Sequence, residues 1–138
     1  MLFLAEITCG AKFRCYAIKS ETQAPCHDFL TTAESEMPSE LAKLLARIQR
    51  AADHGPPRNE EQCRQLNGRT PEETVYEFKT HKLRLLWFYD QDRVLLCTNG
   101  LVKGTRKEQD QAIAVARRWK RDYLAAKQRG EIKTLPPT

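Results

Sequence analysis

The sequence predicts an α+β domain in which helices pack on one side of a small, twisted antiparallel sheet. Three stretches are rich in β-branched, aromatic and aliphatic residues and are separated by short polar segments: 75–79, 83–90 and 93–101. Apolar residues recur at helical spacing both before and after these stretches. With 138 residues the chain has the length of one ordinary domain, and we expect a single domain over residues 1–138.

The N-terminal quarter of the chain is expected to contribute strands and a short helix. Residues 2–8 and 12–19 are rich in apolar and β-branched residues, and Gly10 supplies a break between the two strands. Apolar residues then occur within 26–33, which is compatible with a short helix.

A longer helix is predicted to begin at Pro38 and to end before Gly55, because proline is tolerated in the first turn of a helix and glycine often follows the last. Its apolar face consists of Leu41, Leu44, Leu45 and Ile48. The polar connector 58–73 follows, in which residues 62–66 are compatible with one helical turn.

The C-terminal half contains the clearest pattern. The stretch 83–90 is almost continuously apolar, as expected of a central strand, and the polar turn 90–92 joins it to the next strand as an antiparallel hairpin. A polar loop over 102–110 leads into an amphipathic helix over about 107–128, whose apolar stripe consists of Ala112, Val115, Ala116, Trp119 and Tyr123. Residues 130–138 are expected to form a loose tail.

The charges are divided unevenly along the chain. Residues 20–78 contain 6 Lys and Arg against 11 Asp and Glu, a net charge of −5, whereas residues 79–129 contain 13 against 5, a net charge of +8. Such clustering favours an anionic partner, either a nucleic acid or an acidic protein, over a basic surface that serves only solubility.

Several classes of protein are disfavoured by what the sequence lacks. The apolar runs are far shorter than the ~20 residues of a membrane span, and residues 1–7 lack the basic start of a signal peptide, so we expect a cytoplasmic protein without a membrane partner. No glycine-rich phosphate loop or nucleophile elbow occurs.

The cysteines and histidines indicate reduced thiols rather than a disulfide framework or a metal site. The cysteines are odd in number and form no Cys-x-x-Cys pair: Cys9, Cys15, Cys26, Cys63 and Cys97. Cys15 and Cys97 are expected to be buried. Cys26-His27 lacks a second pair at ligand spacing, and there are only 3 histidines, so we expect no metal and no cofactor.

The cations of the basic segment are the candidate functional residues. Seven of them lie on or between two neighbouring strands and in the loop that leaves the third, where we expect them to converge: Lys79, His81, Lys82, Arg84, Lys103, Arg106 and Lys107. Three further RNA-binding candidates lie on the polar faces of the last helix: Arg117, Arg118 and Arg121. On charge alone, a solvated sheet face and helix surface stays an open alternative.

This residue set has the chemistry that metal-free RNA cleavage requires. Lysine and arginine stabilise charge that develops on phosphate oxygens, and a lysine of lowered pKa within a cation cluster is able to act as a base. Tyr76, Trp87 and Tyr89 are available to stack on bases, although core packing is the favoured role for Trp87, which lies mid-strand.

The block over residues 75–124 resembles the RelE/HigB toxins, in particular their phage-derived Gp49-like branch. The resemblance rests on VYEFK, the turn after it, LRLLWFYD, VLLCTNGLVK, a basic loop and an alanine-rich helix that ends in tyrosine. The helical region 26–68 is compatible with it. The resemblance implies a RelE-like fold and a small cytoplasmic ribonuclease that cuts mRNA in the ribosomal A site and is held inactive by an antitoxin.

The resemblance also assigns roles to individual cations. Lys79 matches a basic residue at the end of the first hairpin strand, and Arg84 matches the arginine that opens the next strand. Lys103 and Lys107 match lysines of the loop after the third strand. The resemblance therefore implies that Lys79, Arg84 and Lys103 are catalytic and that Lys107 binds RNA.

At two positions the chain departs from the family pattern. Gly104 stands where a second basic loop residue is frequent, and Arg106 is the candidate to replace that charge. Asp110 stands where RelE-type toxins place a tyrosine early in the last helix. His81, in the turn between the first two hairpin strands, is the candidate acid or base.

We therefore expect the toxin of a type II toxin–antitoxin system, a metal-independent, ribosome-dependent mRNA endonuclease (an mRNA interferase). Its expected partners are the ribosome, mRNA and a cognate antitoxin of the helix-turn-helix type. One alternative is a non-catalytic RNA- or protein-binding module on the same fold. Another is a phage-type structural or regulatory protein whose basic helix binds an acidic chain.

Overall fold

A computed structural model describes residues 1–137, which form one mixed sheet with helices packed on it. The elements are β1 (Leu2–Cys9), β2 (Arg14–Lys19), α1 (Pro25–Glu36), α2 (Pro38–His54), β3 (Cys63–Leu66), β4 (Val75–Lys79), β5 (Leu83–Asp90), β6 (Val94–Val102), α3 (Arg106–Gln128) and β7 (Ile132–Thr134). A single 3₁₀ turn, Pro71–Glu73, precedes β4. The predicted α+β class is confirmed.

The seven strands follow the order β3-β4-β5-β6-β2-β1-β7 across the sheet. The prediction of a purely antiparallel sheet is wrong at two pairings, because β2 runs parallel to β6 and β1 runs parallel to β7. A parallel pair needs a long crossover connection, and α1, α2 and three strands lie between β2 and β6 along the chain.

The helices cover both faces of the sheet, so the prediction that they pack on one side is wrong. Leu85 and Trp87 of β5 pack in the same core cluster as Leu44 and Ile48 of α2. Phe88 of the same strand packs with apolar side chains of α3, Trp119 and Tyr123. Because β5 carries apolar side chains on both faces of the sheet, a helix must cover each face.

The predicted bounds of β4 and β5 are confirmed, and the helices at 38–54 and 107–128 are confirmed to within one residue. The suggested helical turn at 62–66 is wrong. Cys63–Leu66 forms the edge strand β3, which pairs with β4 and buries its two end residues. Four residues are too few for a strand to be distinguished from a helical turn by periodicity.

The C-terminal segment is more ordered than the predicted loose tail. Ile132–Thr134 forms β7, which adds a parallel edge strand beside β1, and the Leu135 N–H donates to the carbonyl of Leu4 at 2.9 Å. The prediction also covered Thr138, which lies outside the described residues. That the chain forms one domain stays a prediction.

All five cysteines are free thiols in the described structure, which agrees with the prediction of reduced cysteines. Cys15 and Cys97 are buried, as expected. Burial raises the pKa of Cys15 and of Cys63 to about 12, so both are protonated at neutral pH.

Over residues 1–137, none of the helices combines the length and the apolar character that a membrane span requires.

The start of α3 is fixed by a capping box, which was not predicted from the sequence. The Thr105 hydroxyl accepts from the Glu108 N–H at 3.2 Å, and the Glu108 carboxylate accepts from the Thr105 N–H at 3.2 Å.

We expect Thr105→Ala to lower the free energy of unfolding by about 1 kcal/mol, because the helix loses its cap. Urea unfolding measures this. Thr32→Ala, at an exposed position within α1, is the control; an equal loss in both variants would contradict the role of the cap.

Candidate functional site

Seven of the predicted cations lie at one end of the sheet, where β4 and β6 end and where β5 and α3 begin. The backbone brings them together: Lys79 and Arg84 are register partners, and the Lys103 N–H donates to the carbonyl of Lys82 at 2.7 Å. We call this group the basic end; it consists of Lys79, His81, Lys82, Arg84, Lys103, Arg106 and Lys107.

Five of these side chains are exposed to solvent: His81, Lys82, Lys103, Arg106 and Lys107. Lys79 is half-buried, and its ammonium donates to the carbonyl of Glu60 at 3.1 Å. The basic end therefore presents a concentration of cations to solvent without a covering element among the described residues.

Arg84 differs from the other cations because its side chain is only 7% exposed. Its Nη1 donates to the carbonyls of Thr80 and Leu83, so it closes the turn between β4 and β5 from within. Burial lowers the pKa of the guanidinium, and the neighbouring Glu77 carboxylate opposes that shift. Arg84 thus supports the geometry of the turn as well as contributing charge.

Glu77 is a buried acidic group that was not predicted as part of the site. Its side chain is fully buried on the face of β4 that α3 covers. Gln109 Nε2 donates to its carboxylate at 3.3 Å, and Arg64 Nε lies 3.9 Å from it. A glutamate between apolar residues of a β-rich stretch was the available signal, since a buried carboxylate is rarely left without partners.

Glu40 of α2 is the second missed residue, and it holds the turn of the basic end in place. Its Oε1 accepts from the Thr80 hydroxyl at 2.7 Å and from the Lys82 N–H at 2.8 Å. These two hydrogen bonds, together with Lys43 at 3.3 Å, lower the pKa of Glu40 to about 2. No sequence signal points to this contact, because the partners are separated by some 40 residues.

The low pKa of Glu40 predicts a pH dependence of stability. The pKa in the folded protein, about 2, is below the ordinary value of 4.5, so the stabilisation is complete above pH 4.5 and is lost as the pH falls toward 2. The difference in unfolding free energy between the wild type and Glu40→Gln, measured with urea, is expected to shrink over this range. A difference that does not change with pH would contradict the stabilising role of the ionised Glu40. Glu34→Gln, at an exposed position of α1, is the control.

The three arginines predicted on α3 lie away from the basic end. Arg117 is more than three helical turns after the start of α3, which places its Cα about 16 Å along the helix. Its guanidinium donates to the carbonyls of Glu73 at 2.8 Å and Asn67 at 2.9 Å, and so it holds the segment before β4. Arg118 and Arg121 are exposed.

The aromatic candidates are also away from the basic end. Trp87 is fully buried and stacks between Tyr76 and Phe78, with ring centroids 4.6 and 4.9 Å away, which confirms the core interpretation. Tyr89 is 40% exposed but lies toward the opposite end of β5 from the basic turn.

The two departures from the family pattern have visible structural settings. A Cβ atom at Gly104 would lie 3.0 Å from the carboxylate oxygens of Glu108, so the capping glutamate occupies the space beside this position. Asp110 is exposed and lines a shallow depression together with Arg64 and Arg117.

Chemically, the basic end is suited to bind and polarise a phosphate. Its exposed ammonium and guanidinium groups are strong donors to anionic oxygens. The described residues contain no group of three or more His, Cys, Asp or Glu side chains placed to hold a metal ion.

A family model described as "Phage derived protein Gp49-like (DUF891)" matches residues 34–121, which is well over half of the chain. The matched region includes every residue of the basic end, together with Glu40 and Glu77. No curated protein matches the chain.

Proposed function

Because the chain belongs to the Gp49-like family of phage-derived proteins, which is toxin-like, we propose that it is the toxin of a type II toxin–antitoxin pair and cleaves mRNA on the ribosome. The observation that carries the proposal is the basic end itself. Seven cationic or titratable side chains gather where two strands end and α3 begins, on a fold of the α+β class that the RelE/HigB resemblance implies.

The proposed reaction is attack by a ribose 2′-oxygen on the adjacent phosphorus. A new bond forms from phosphorus to the 2′-oxygen, the bond to the 5′-oxygen breaks, and a cyclic phosphate remains. The proton of the 2′-hydroxyl passes to a base, and an acid protonates the departing 5′-oxygen. Lys79, Arg84 and Lys103 stabilise the charge on the phosphorane oxygens. His81 is our candidate for one proton transfer, since it is exposed in the turn beside them.

The RNA-binding part of the proposal assigns Lys82, Arg106 and Lys107 to the phosphates on either side of the cleaved bond. All three are exposed on the same end of the sheet. Arg118 and Arg121 are proposed to contact more distant RNA, whereas the two carbonyl contacts of Arg117 favour a structural role for that residue.

The partner proposed to silence the toxin is an antitoxin of the helix-turn-helix type. Residues 79–129 of the toxin carry a net charge of +8. An acidic segment of the antitoxin would therefore be attracted to the basic end, and by covering it would exclude RNA.

Induction of the protein alone in a bacterial host tests the proposal. We expect growth arrest and transcripts that are cut within coding regions, and we expect the Lys79→Ala, Arg84→Ala and Lys103→Ala variants to relieve both effects. Normal growth with intact mRNA, at a level of soluble protein verified by blotting, would contradict it.

A non-catalytic RNA-binding module is the second candidate. It is favoured by the Nη1 bonds of Arg84 to the turn carbonyls and by the absence of a second cation at Gly104. This candidate predicts ribosome or RNA affinity that decreases with salt, without cleavage.

A further inference from the structure

A groove along α2 carries a line of cations that the proposed cleavage site does not use. Lys43, Arg47, Arg50 and His54 are spaced by four, three and four residues, so they share one face of the helix over about 16 Å. The segment after the helix forms the opposite wall with Pro56, Pro57 and Arg58. The open groove between these two walls has a volume of about 840 Å³.

The groove is positive although it belongs to the acidic half of the chain. Four of its residues are Lys or Arg and one is His, and no aspartate or glutamate is among the described residues that line it. Of the described carboxylates, none forms an ion pair with Arg47, Arg50 or Arg58. Lys43 is the exception, since it lies 3.3 Å from Glu40 at the end of the groove.

A second observation is that Arg47 Nε is buried and has no hydrogen-bond partner in the described structure. Buried donors of this kind are usually satisfied by the protein, by water or by a ligand. The Arg47 guanidinium has an unused donor and lines a groove without carboxylates, so it is suited to donate to an anionic oxygen.

The groove adjoins the basic end on two sides. On the helix side, Glu40 contacts Lys43 and also accepts from the Lys82 N–H at 2.8 Å. On the opposite side, the carbonyl of Gln62, which lines the groove, accepts from the Lys79 N–H at 2.8 Å. A chain that lies in the groove would therefore reach the turn that carries His81 and Lys82.

We propose that this α2 groove binds the sugar-phosphate backbone of the single-stranded RNA whose cleaved phosphate lies at the basic end. This inference rests on the proposed function and extends it to the path of the substrate. A polymer with one charge per repeat fits a line of cations with helical spacing, and the guanidinium groups offer paired donors to phosphate oxygens. An acidic peptide is the competing occupant, and the test distinguishes it.

The test compares two charge-matched triple variants of the full chain. Arg47→Gln/Arg50→Gln/Arg58→Gln changes the groove. The control Lys19→Gln/Arg69→Gln/Lys133→Gln removes the same charge from β2, from the loop before the 3₁₀ turn and from β7, and none of these residues lines the groove. Folding of each is verified by urea unfolding. The affinity for a fluorescent oligouridylate is then measured as a function of salt, first for the wild type and then for both variants.

We expect the groove variant to lower the magnitude of the log–log salt slope by about 2, since each neutralised phosphate of a single strand contributes about 0.7, while the control changes little. Equal slopes in the two variants would overturn the proposal. The proposal would also be overturned if the wild type bound polyglutamate and if the groove variant, but not the control, lost that binding while it kept its affinity for RNA. A wild-type protein that binds RNA but does not cleave it, together with a slope that the groove variant lowers, would instead contradict the proposed function and leave the groove proposal standing.

Discussion

Lys103→Ala is expected to slow RNA cleavage by about 10²- to 10³-fold, the usual effect of removing one donor that stabilises developing negative charge. Lys103 is exposed, and its side chain forms neither a hydrogen bond nor an ion pair with the described residues, so the variant should fold normally. Its position is nevertheless fixed, because its N–H donates to the carbonyl of Lys82. The rate of cleavage of a ribosome-bound message measures the effect.

The control for this variant is Lys133→Ala, which removes an exposed cation from the edge strand β7 on the opposite side of the sheet. The control should retain the wild-type rate. If Lys103→Ala cleaved as fast as Lys133→Ala, Lys103 would not be part of the catalytic group.

Glu77→Gln is expected to destabilise the fold by about 2 kcal/mol, because it removes a buried carboxylate that accepts from Gln109 and lies 3.9 Å from Arg64 Nε. The same carboxylate offsets the burial of the Arg84 guanidinium. Glu77 is fully buried and lies on the same face of the sheet as Arg84, on the adjacent strand. The loss is measured by urea unfolding at neutral pH, with Glu61→Gln, an exposed carboxylate, as the control.

A double-mutant cycle separates this electrostatic coupling from a simple loss of packing. Arg84→Met removes the buried cation, so the Glu77→Gln/Arg84→Met variant should lose less stability than the sum of the two single variants. Strictly additive losses would show that the two groups are not coupled and would contradict the electrostatic account.

The central hairpin was predictable from the sequence because its pattern is local. β4 and β5 are compact runs of β-forming residues with polar turns at their ends, and the order of cations along them follows directly from the hairpin. The gathering of Lys79 and Arg84 at one end of the sheet is a consequence of antiparallel register, which sequence spacing specifies.

The two-sided packing was misjudged although a local signal existed. The stretch 83–90 is almost continuously apolar, and such a strand is buried on both faces, which requires helices on each side. The parallel pairings of β2 with β6 and of β1 with β7 carry no comparable signal, because they depend on how distant segments return to the sheet.

The residues that support the site were missed for the same reason. Glu40 holds the turn at Thr80 from a different helix, and the line of cations on α2 acquires a second wall only when residues 55–59 fold back along it. Residues 20–78, which include α2, have a net charge of −5. The groove is nevertheless positive, because no aspartate or glutamate is among the described residues that line it. Position in the fold, not composition, determines the local potential.

The most direct measurement of the central claim uses purified protein, ribosomes programmed with a defined message, and mapping of the new 5′ ends. We expect cuts within the coding region that require the ribosome, that appear with wild-type protein and that are lost with Lys103→Ala. A folded wild-type protein that binds the ribosome and leaves the message intact would contradict this claim, and would favour the non-catalytic binding module.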